Sequence, residues 1–161
     1  LFNQVPNYNI GPDYPTVPAY TDAQLPAMIT SQTQKNALRL SIAFPVPSTL
    51  PYYRTKPEQY ISSMLGHEGE GSLHSLLIQR GWIESLGVGT QSFDRNTSLI
   101  SANFELTEAG SNHVPEIMGM FFAHIDKLKS VEPEAWRYTE QAKVAELAFQ
   151  FQERGSTVGF V

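Results

Sequence analysis

The 161-residue chain contains no cysteine, which excludes disulfide bonds, thiolate metal sites and cysteine nucleophiles. Basic residues are few: 11 Lys and Arg stand against 16 Asp and Glu, and the formal net charge is -5. Because nucleic-acid binding relies on clustered basic residues, we expect no nucleic-acid partner. No apolar run approaches the roughly 20 residues that a transmembrane helix requires, so we also expect no membrane span.

Proline is concentrated at one end, since nine of the 11 prolines lie in the first 57 residues. Residues 1–30 combine prolines with aromatic residues and have neither helical nor strand periodicity, which is typical of an extended connector lying on an apolar surface. We predict a Pro-rich connector from a preceding domain over residues 1–30 and an α+β domain over residues 31–161. The chain begins at Leu1 and ends at Val161 without a polar tail. We therefore expect a fragment of a longer protein.

Three segments have the character of β-strands. Residues 38–46 and 100–106 alternate apolar and polar side chains, the period of a half-buried strand. Residues 82–93 are predicted to return as a strand, although glycines weaken that prediction. An alternating pattern with one apolar face is typical of an antiparallel sheet.

Two short helices are predicted between the first strand and residue 82. Pro57 suits the first turn of a helix that ends at Gly66. Ser72 is a suitable N-cap for the second helix, and Gly81 is a suitable residue to terminate it.

The last third of the chain predicts two longer helices. An apolar stripe at helical spacing marks the first, which we expect to start near Ser111 because Pro115 would fall inside an earlier start capped by Thr107. Pro133 opens the second helix. Candidates for the buried sides are Val114, Ile117, Met118, Phe121, Phe122, Ile125 and Leu128 on the first helix, and Trp136, Val144, Leu147, Ala148 and Phe151 on the second. The fold class is therefore α+β, an antiparallel sheet with helices packed on one face.

The histidines do not form a catalytic zinc motif. His67 is followed by Glu68, but position 71 is glycine, so H-E-x-x-H is absent, and no Glu is directly followed by His, so the inverted H-x-x-E-H is absent too. An improvised metal site from His67, His74, Glu68 and Glu70 has suitable ligand types. Three glycines interrupt the helix that would align these ligands, so an exposed polar loop is favoured.

The same loop has features that suit a cation. Glu68 and Glu70 could pair with an ammonium group through charge-assisted hydrogen bonds. Downstream, residues 86–89 (Leu-Gly-Val-Gly) are strand-like with little side chain, and such an edge can accept an added peptide strand. The two features together suggest a binding site for a peptide with a free amino terminus. A tight turn beside a closed strand is the alternative.

These residues carry a resemblance to a known family. The string G-H-E-G-E-G-S-L at residues 66–73, with residues 53–57, 81–82, 86–89 and 104–110, closely resembles the second, non-catalytic domain of the pitrilysin and insulysin zinc metallopeptidases, the inverzincins. The similarity covers about residues 38–155. Because the family's unit usually continues with a further strand and helix, the resemblance implies a domain that is incomplete at its C-terminal end.

The resemblance implies a fold of four related α+β domains in two halves that close around a peptide. It places zinc and the H-x-x-E-H motif in a domain upstream of this chain, so this chain alone is expected to be inactive, with no catalytic residues and no bound metal. In insulysin-like members the second domain holds the substrate's amino-terminal end at an exosite, where Ser63 replaces a family histidine. The matching exosite residues are Gly66, Glu68, Leu86, Gly87, Val88 and Gly89.

The function implied is therefore a substrate-chamber domain of a zinc metalloendopeptidase that degrades oligopeptides, with the peptide and the parent chain's other domains as partners. A binding or assembly module of a catalytically inactive, processing-peptidase-like relative is the alternative. Bacterial pitrilysin-like members are periplasmic, so we expect the periplasm, with the cytoplasm as the alternative.

Overall fold

The structure is a computed structural model that describes residues 19–32 and 37–153, together with residues 6, 8 and 11. Much of the predicted connector (1–30), and residues 154–161, therefore lie outside the described residues. No helix in the described part is both long enough and apolar enough to cross a membrane. In chain order the main elements are β1 (Arg39–Pro47), α1 (Pro57–Leu65), α2 (Leu73–Gln79), β2 (Ile83–Ser92), β3 (Thr97–Leu106), α3 (Glu108–Ser111), α4 (Val114–Lys129) and α5 (Ala135–Gln150).

The three predicted strands are confirmed and form one antiparallel sheet in the order β1-β3-β2. A tight turn joins β2 to β3, where the Asp94 carboxylate accepts the backbone N–H groups of Asn96 at 2.7 Å and Thr97 at 2.6 Å. This hairpin leaves β3 in the middle, so β1 and β2 are the outer strands of the described sheet. The predicted α+β class is confirmed.

The hydrophobic core lies between one face of the sheet and α4. Phe104 of β3 and Phe121 of α4 are fully buried and meet edge to face, with ring centroids 5.6 Å apart. Leu77 of α2 and Ile117 of α4 are also fully buried. Burial of such side chains contributes about 1.5–3 kcal/mol each, so this layer is the main source of stability.

The two short helices are confirmed. Pro57 is the first residue of α1, and Gly66 follows its last residue. Ser72 caps α2 through its hydroxyl oxygen, which accepts the backbone N–H of Ser75 at 3.1 Å. Gly81 lies just beyond α2 with φ of +69°, a left-handed conformation that glycine adopts without a Cβ penalty.

The predicted start of the next helix near Ser111 is wrong. Thr107 does cap a helix, accepting the backbone N–H of Gly110 at 2.9 Å, but that helix is only the short α3. A new helix, α4, then begins at Val114 with Pro115 in its first turn. Proline is tolerated there because it has no N–H group and the first helical N–H groups have no intrahelical partner.

The predicted buried sides are correct only in part. On α4, Ile117 and Phe121 are buried, whereas Phe122 is 42% exposed. On α5, all of the residues that were predicted to be buried are exposed, because no described element covers that face. The wrongly predicted residues are Trp136, Val144, Leu147, Ala148 and Phe151.

The described end of the connector lies near the turn of the hairpin. The rings of Tyr20 and Phe93 are 5.8 Å apart, so an aromatic contact joins the connector to the end of β2. The domain boundary near residue 30 stays a prediction.

Candidate functional site

A groove of about 550 Å³ runs between α1 and the outer strand β2. All six site residues predicted from the sequence line it. They are Gly66, Glu68, Leu86, Gly87, Val88 and Gly89. The structure thus brings together two segments that are separated by about 20 residues in the chain.

Six of the seven other lining residues were not predicted, and only Ser63 is placed at the exosite by the resemblance. The seven are Thr49, Glu58, Gln59, Ser62, Ser63, Thr90 and Ser92. Four of them are on α1, and their spacing relative to Gly66 is that of one helical face. Once Gly66 is known to line the groove, the helical period places these four residues on the same face.

Helix α1 runs antiparallel to β2. A Cβ atom on Gly66 would lie 3.4 Å from the backbone nitrogen of Val88 and 3.2 Å from the carbonyl oxygen of Ser62, so the main chains approach closely here. One helical turn earlier, the hydroxyl oxygens of Ser62 and Thr90 are 3.4 Å apart. The C-terminal end of α1 therefore lies beside the middle of β2, and its N-terminal end lies towards Ser92.

The strand side of the groove is open along an edge. Leu86 is 3% exposed and faces the core, whereas Gly87 and Gly89 are exposed and a Cβ atom on either would meet nothing within 4 Å. Strand β2 pairs only with β3 in the described part of the chain. An added strand could therefore approach the other side of β2 without displacing a side chain at either glycine.

The charge lining the groove is of one sign. Glu58 and Glu68 line it, and no Lys, Arg or His does so among the described residues. The Oε2 atom of Glu58 is buried and has no hydrogen-bond partner among the residues that the structure describes. Glu70, which was predicted to act with Glu68, is exposed and does not line the groove. The groove is therefore suited to a cationic rather than an anionic ligand.

Hydrogen bonds attach α5 to the helix that forms the groove wall. The backbone N–H of Glu134 donates to the Tyr60 hydroxyl at 3.0 Å, and the Gln141 amide donates to the Ser63 hydroxyl. The Ser63 hydroxyl in turn donates to the carbonyl oxygen of Tyr60 at 2.8 Å. Because Ser63 lines the groove, α5 is hydrogen-bonded directly to this wall.

The described residues do not fit a catalytic zinc site. No group of three or more His, Asp or Glu side chains among them could hold a metal ion. His67 and His74 are not joined by a third ligand, so the improvised metal site considered from the sequence is not formed there.

Comparisons with known proteins agree with the resemblance. The model of the family described as "Peptidase M16 inactive domain" matches residues 1–143. Human insulin-degrading enzyme is 32% identical over 161 residues, which are 99% of this chain and 16% of that protein. The peroxisomal insulin-degrading enzyme-like 1 of Arabidopsis thaliana is 28% identical over 162 residues, 100% of this chain and 17% of that protein.

The fold also matches a solved structure. The crystal structure of pitrilysin superposes with a TM-score of 0.84 at 20% identity, over 99% of this chain and 17% of that chain. The chain thus spans about one sixth of the length of the proteins that it matches. The resemblance to the pitrilysin and insulysin peptidases is confirmed, and the chain belongs to the family of the peptidase M16 inactive domain.

Proposed function

We propose that this chain forms part of the substrate-chamber wall of a pitrilysin-like zinc metalloendopeptidase and that its groove holds the amino-terminal end of a peptide. The observation that carries the proposal is that the six residues predicted from the sequence line one acidic groove along a strand edge. Peptide hydrolysis and zinc belong, in this proposal, to another domain of the longer protein. No chemical step is assigned to this chain.

The open edge of β2 suits main-chain recognition. An extended peptide can add to a sheet edge through backbone hydrogen bonds, which provide affinity with little dependence on sequence. Gly87 and Gly89 are exposed, so they present backbone without a side chain in the way. A peptide bound in this manner would lie as a fourth strand beside β2.

Glu68 supplies the charge for the peptide's free amino group. It lines the groove together with Gly66, at the end where Gly66 lies against the backbone of Val88. A carboxylate that accepts a hydrogen bond from an ammonium group makes one of the stronger polar contacts in proteins. Holding one end of a peptide also fixes its orientation, which is how a non-catalytic domain can raise the rate of cleavage elsewhere.

Binding of C-terminally labelled peptides to the 161-residue chain tests the proposal by fluorescence anisotropy. Acetylation of the peptide's amino terminus should weaken binding about tenfold, since it removes the charge that Glu68 binds. In Glu68→Gln this difference should disappear. Glu70→Gln is the matched control, because it removes the same charge from the same loop outside the groove, and it should retain the tenfold difference.

N-methylated peptides test the added strand separately. Only every second backbone N–H of an added strand points to its partner, so methylation should weaken binding at alternate positions. Equal binding of free, acetylated and methylated peptides would contradict the proposal. The assembly-module alternative would then be favoured, and its expected ligand is a folded partner.

Two further expectations belong to this proposal. The chain alone should hydrolyse no peptide, and chelator-sensitive cleavage that survives repurification would contradict this. A periplasmic location, with the cytoplasm as the alternative, stays a prediction.

A further inference from the structure

Glu58 has no role in the proposed binding of the peptide's amino terminus, yet it lines the same groove. It is the second residue of α1, and its Oε2 atom is buried without a hydrogen-bond partner in the described part of the chain. A buried carboxylate oxygen that lacks a donor is costly, because it has lost water and gained nothing in exchange. A hydrogen-bond donor would stabilise such an oxygen. Among the described residues, no Lys, Arg or His lines the groove to supply one.

The antiparallel arrangement of α1 and β2 fixes where Glu58 lies along the groove. Gly66 lies beside Val88, and Ser62 lies beside Thr90. The helix therefore progresses from its C-terminal to its N-terminal end as β2 progresses towards Ser92. Glu68 is at one end of the groove and Glu58 is towards the other.

The separation of the two ends can be expressed as a length of peptide. Eight residues of helix separate Glu58 from Gly66, and a rise of 1.5 Å per residue makes this about 12 Å. An extended peptide advances about 3.3 Å per residue, so about four residues span the same distance. A peptide whose amino group is bound near Gly66 would bring the side chain of about its fourth residue to Glu58.

We propose that Glu58 binds a basic side chain of the peptide, Lys or Arg, located about four residues from the free amino terminus. The proposal rests on the proposed function, because it counts residues from the amino group bound by Glu68. The substrate class is thus peptides with two cationic groups at a fixed spacing. The Glu58 side chain is half-buried and lines the groove, so a rotation of its carboxylate would present the oxygen that lacks a donor to an ammonium or guanidinium group.

A lysine scan tests this spacing with the 161-residue chain. Ten-residue peptides of neutral sequence with a free amino terminus and a C-terminal label would carry one lysine at each of positions 2 to 7 in turn. Binding should be tightest, by about tenfold over the lysine-free peptide, at one of positions 3 to 5. It should be weaker at the immediate neighbours of that position, because alternate side chains of a strand point to opposite faces.

Two variants assign the effect to its residue. Glu58→Gln keeps the size of the side chain and should abolish the preference for lysine while leaving the tenfold effect of amino-terminal acetylation. Glu70→Gln, which removes an equal charge outside the groove, should keep both effects. Circular dichroism of each variant checks that α1 is retained.

The outcomes separate this inference from the proposed function. If acetylation weakens binding to the unsubstituted chain but no lysine position improves it, the inference is overturned and the proposed function is not. Equal improvement by lysine at every position would also overturn it, since that pattern indicates unspecific attraction to a chain of charge -5. If neither acetylation nor lysine position changes binding, the proposed function fails as well.

Discussion

Helices α4 and α5 have the same length, 16 residues, and both contain aromatic and aliphatic residues, yet only one of them is part of the core. Helix α4 buries Ile117 and Phe121 completely. Helix α5 has no buried residue, and its Leu147 is 53% exposed. Apolar content therefore does not decide whether a helix is buried. A helix is buried only where another element packs against its apolar face.

The two helices are held in different ways. Helix α4 lies against the sheet, where the ring of Phe121 contacts Phe104 and Phe44 at centroid distances of 5.6 and 6.3 Å. Helix α5 is attached to α1 and the residues before it through hydrogen bonds, including one of 3.3 Å from the Tyr138 hydroxyl to the carbonyl oxygen of Thr55. Hydrogen bonds contribute less net free energy than the burial of large apolar side chains.

The sharpest test of this difference compares one large apolar side chain from each helix. Phe121→Ala should lower the free energy of unfolding by about 3–5 kcal/mol, because it leaves a cavity in the core. Leu147→Ala should change it by less than about 0.5 kcal/mol, because an exposed side chain loses little contact. Urea denaturation of the 161-residue chain measures both. Equal losses would show that α5 is as well packed in solution as α4.

A smaller effect is expected where α5 joins α1. Tyr60→Phe removes the hydroxyl that accepts the backbone N–H of Glu134, and it should cost about 1 kcal/mol. The loss should be local, so amide exchange in the first turn of α5 should accelerate about fivefold while exchange in α4 is unchanged. Tyr52→Phe, at an exposed tyrosine outside these contacts, is the control. Equal acceleration in both helices would contradict the separate attachment.

The smallest expected effects are on the pH dependence of stability. The two helices should lose stability in different pH ranges. Burial lowers the pKa of His124 on α4 below 6.5, a hydrogen bond with the backbone of Met64 opposes this, and the charge of Lys127 adds to the lowering. The unfolded chain therefore takes up a proton more readily than the folded chain. Stability should decline as the pH falls below about 6.5 towards the folded pKa.

At the start of α5 the titrating group is a carboxylate. Hydrogen bonds from Arg137 and then Trp136 lower the pKa of Glu134 below 4.5. Its contribution is complete above about pH 4.5 and is lost as the pH falls through the folded pKa. Melting temperatures measured from pH 8 to 3 should show the first decline abolished by His124→Gln and the second reduced by Glu134→Gln. A pH profile that neither substitution alters would contradict both assignments.

The sequence was sufficient wherever a local signal determined the structure. Alternation predicted the strands, and the capping hydroxyl of Ser72 predicted the start of α2. The start of α4 was missed because Thr107 and Pro115 were treated as competing signals for one helix, whereas each belongs to a different helix. The exposure of α5 was missed because the pattern of a helix reveals its apolar face and not whether another element packs against that face.

The groove residues also divide into those that a local signal predicted and those that depend on tertiary packing. Its glycines and Glu68 were found because a sequence motif and a strand edge pointed to them. Glu58 was missed, since a single glutamate in the first turn of a helix is common and favourable near the helix dipole. Its significance depends on the approach of α1 to β2, which is a property of tertiary packing.

The close approach at Gly66 divides the groove into two kinds of surface. Its width at that end is set where Gly66, which has no side chain, lies against the backbone nitrogen and the Cβ atom of Val88. No change of rotamer can widen or narrow the groove at this point, so a bound peptide must fit a fixed width. At the other end, flexible side chains line the walls and can adapt. A single groove would then select peptides by backbone shape at one end and by side chain at the other.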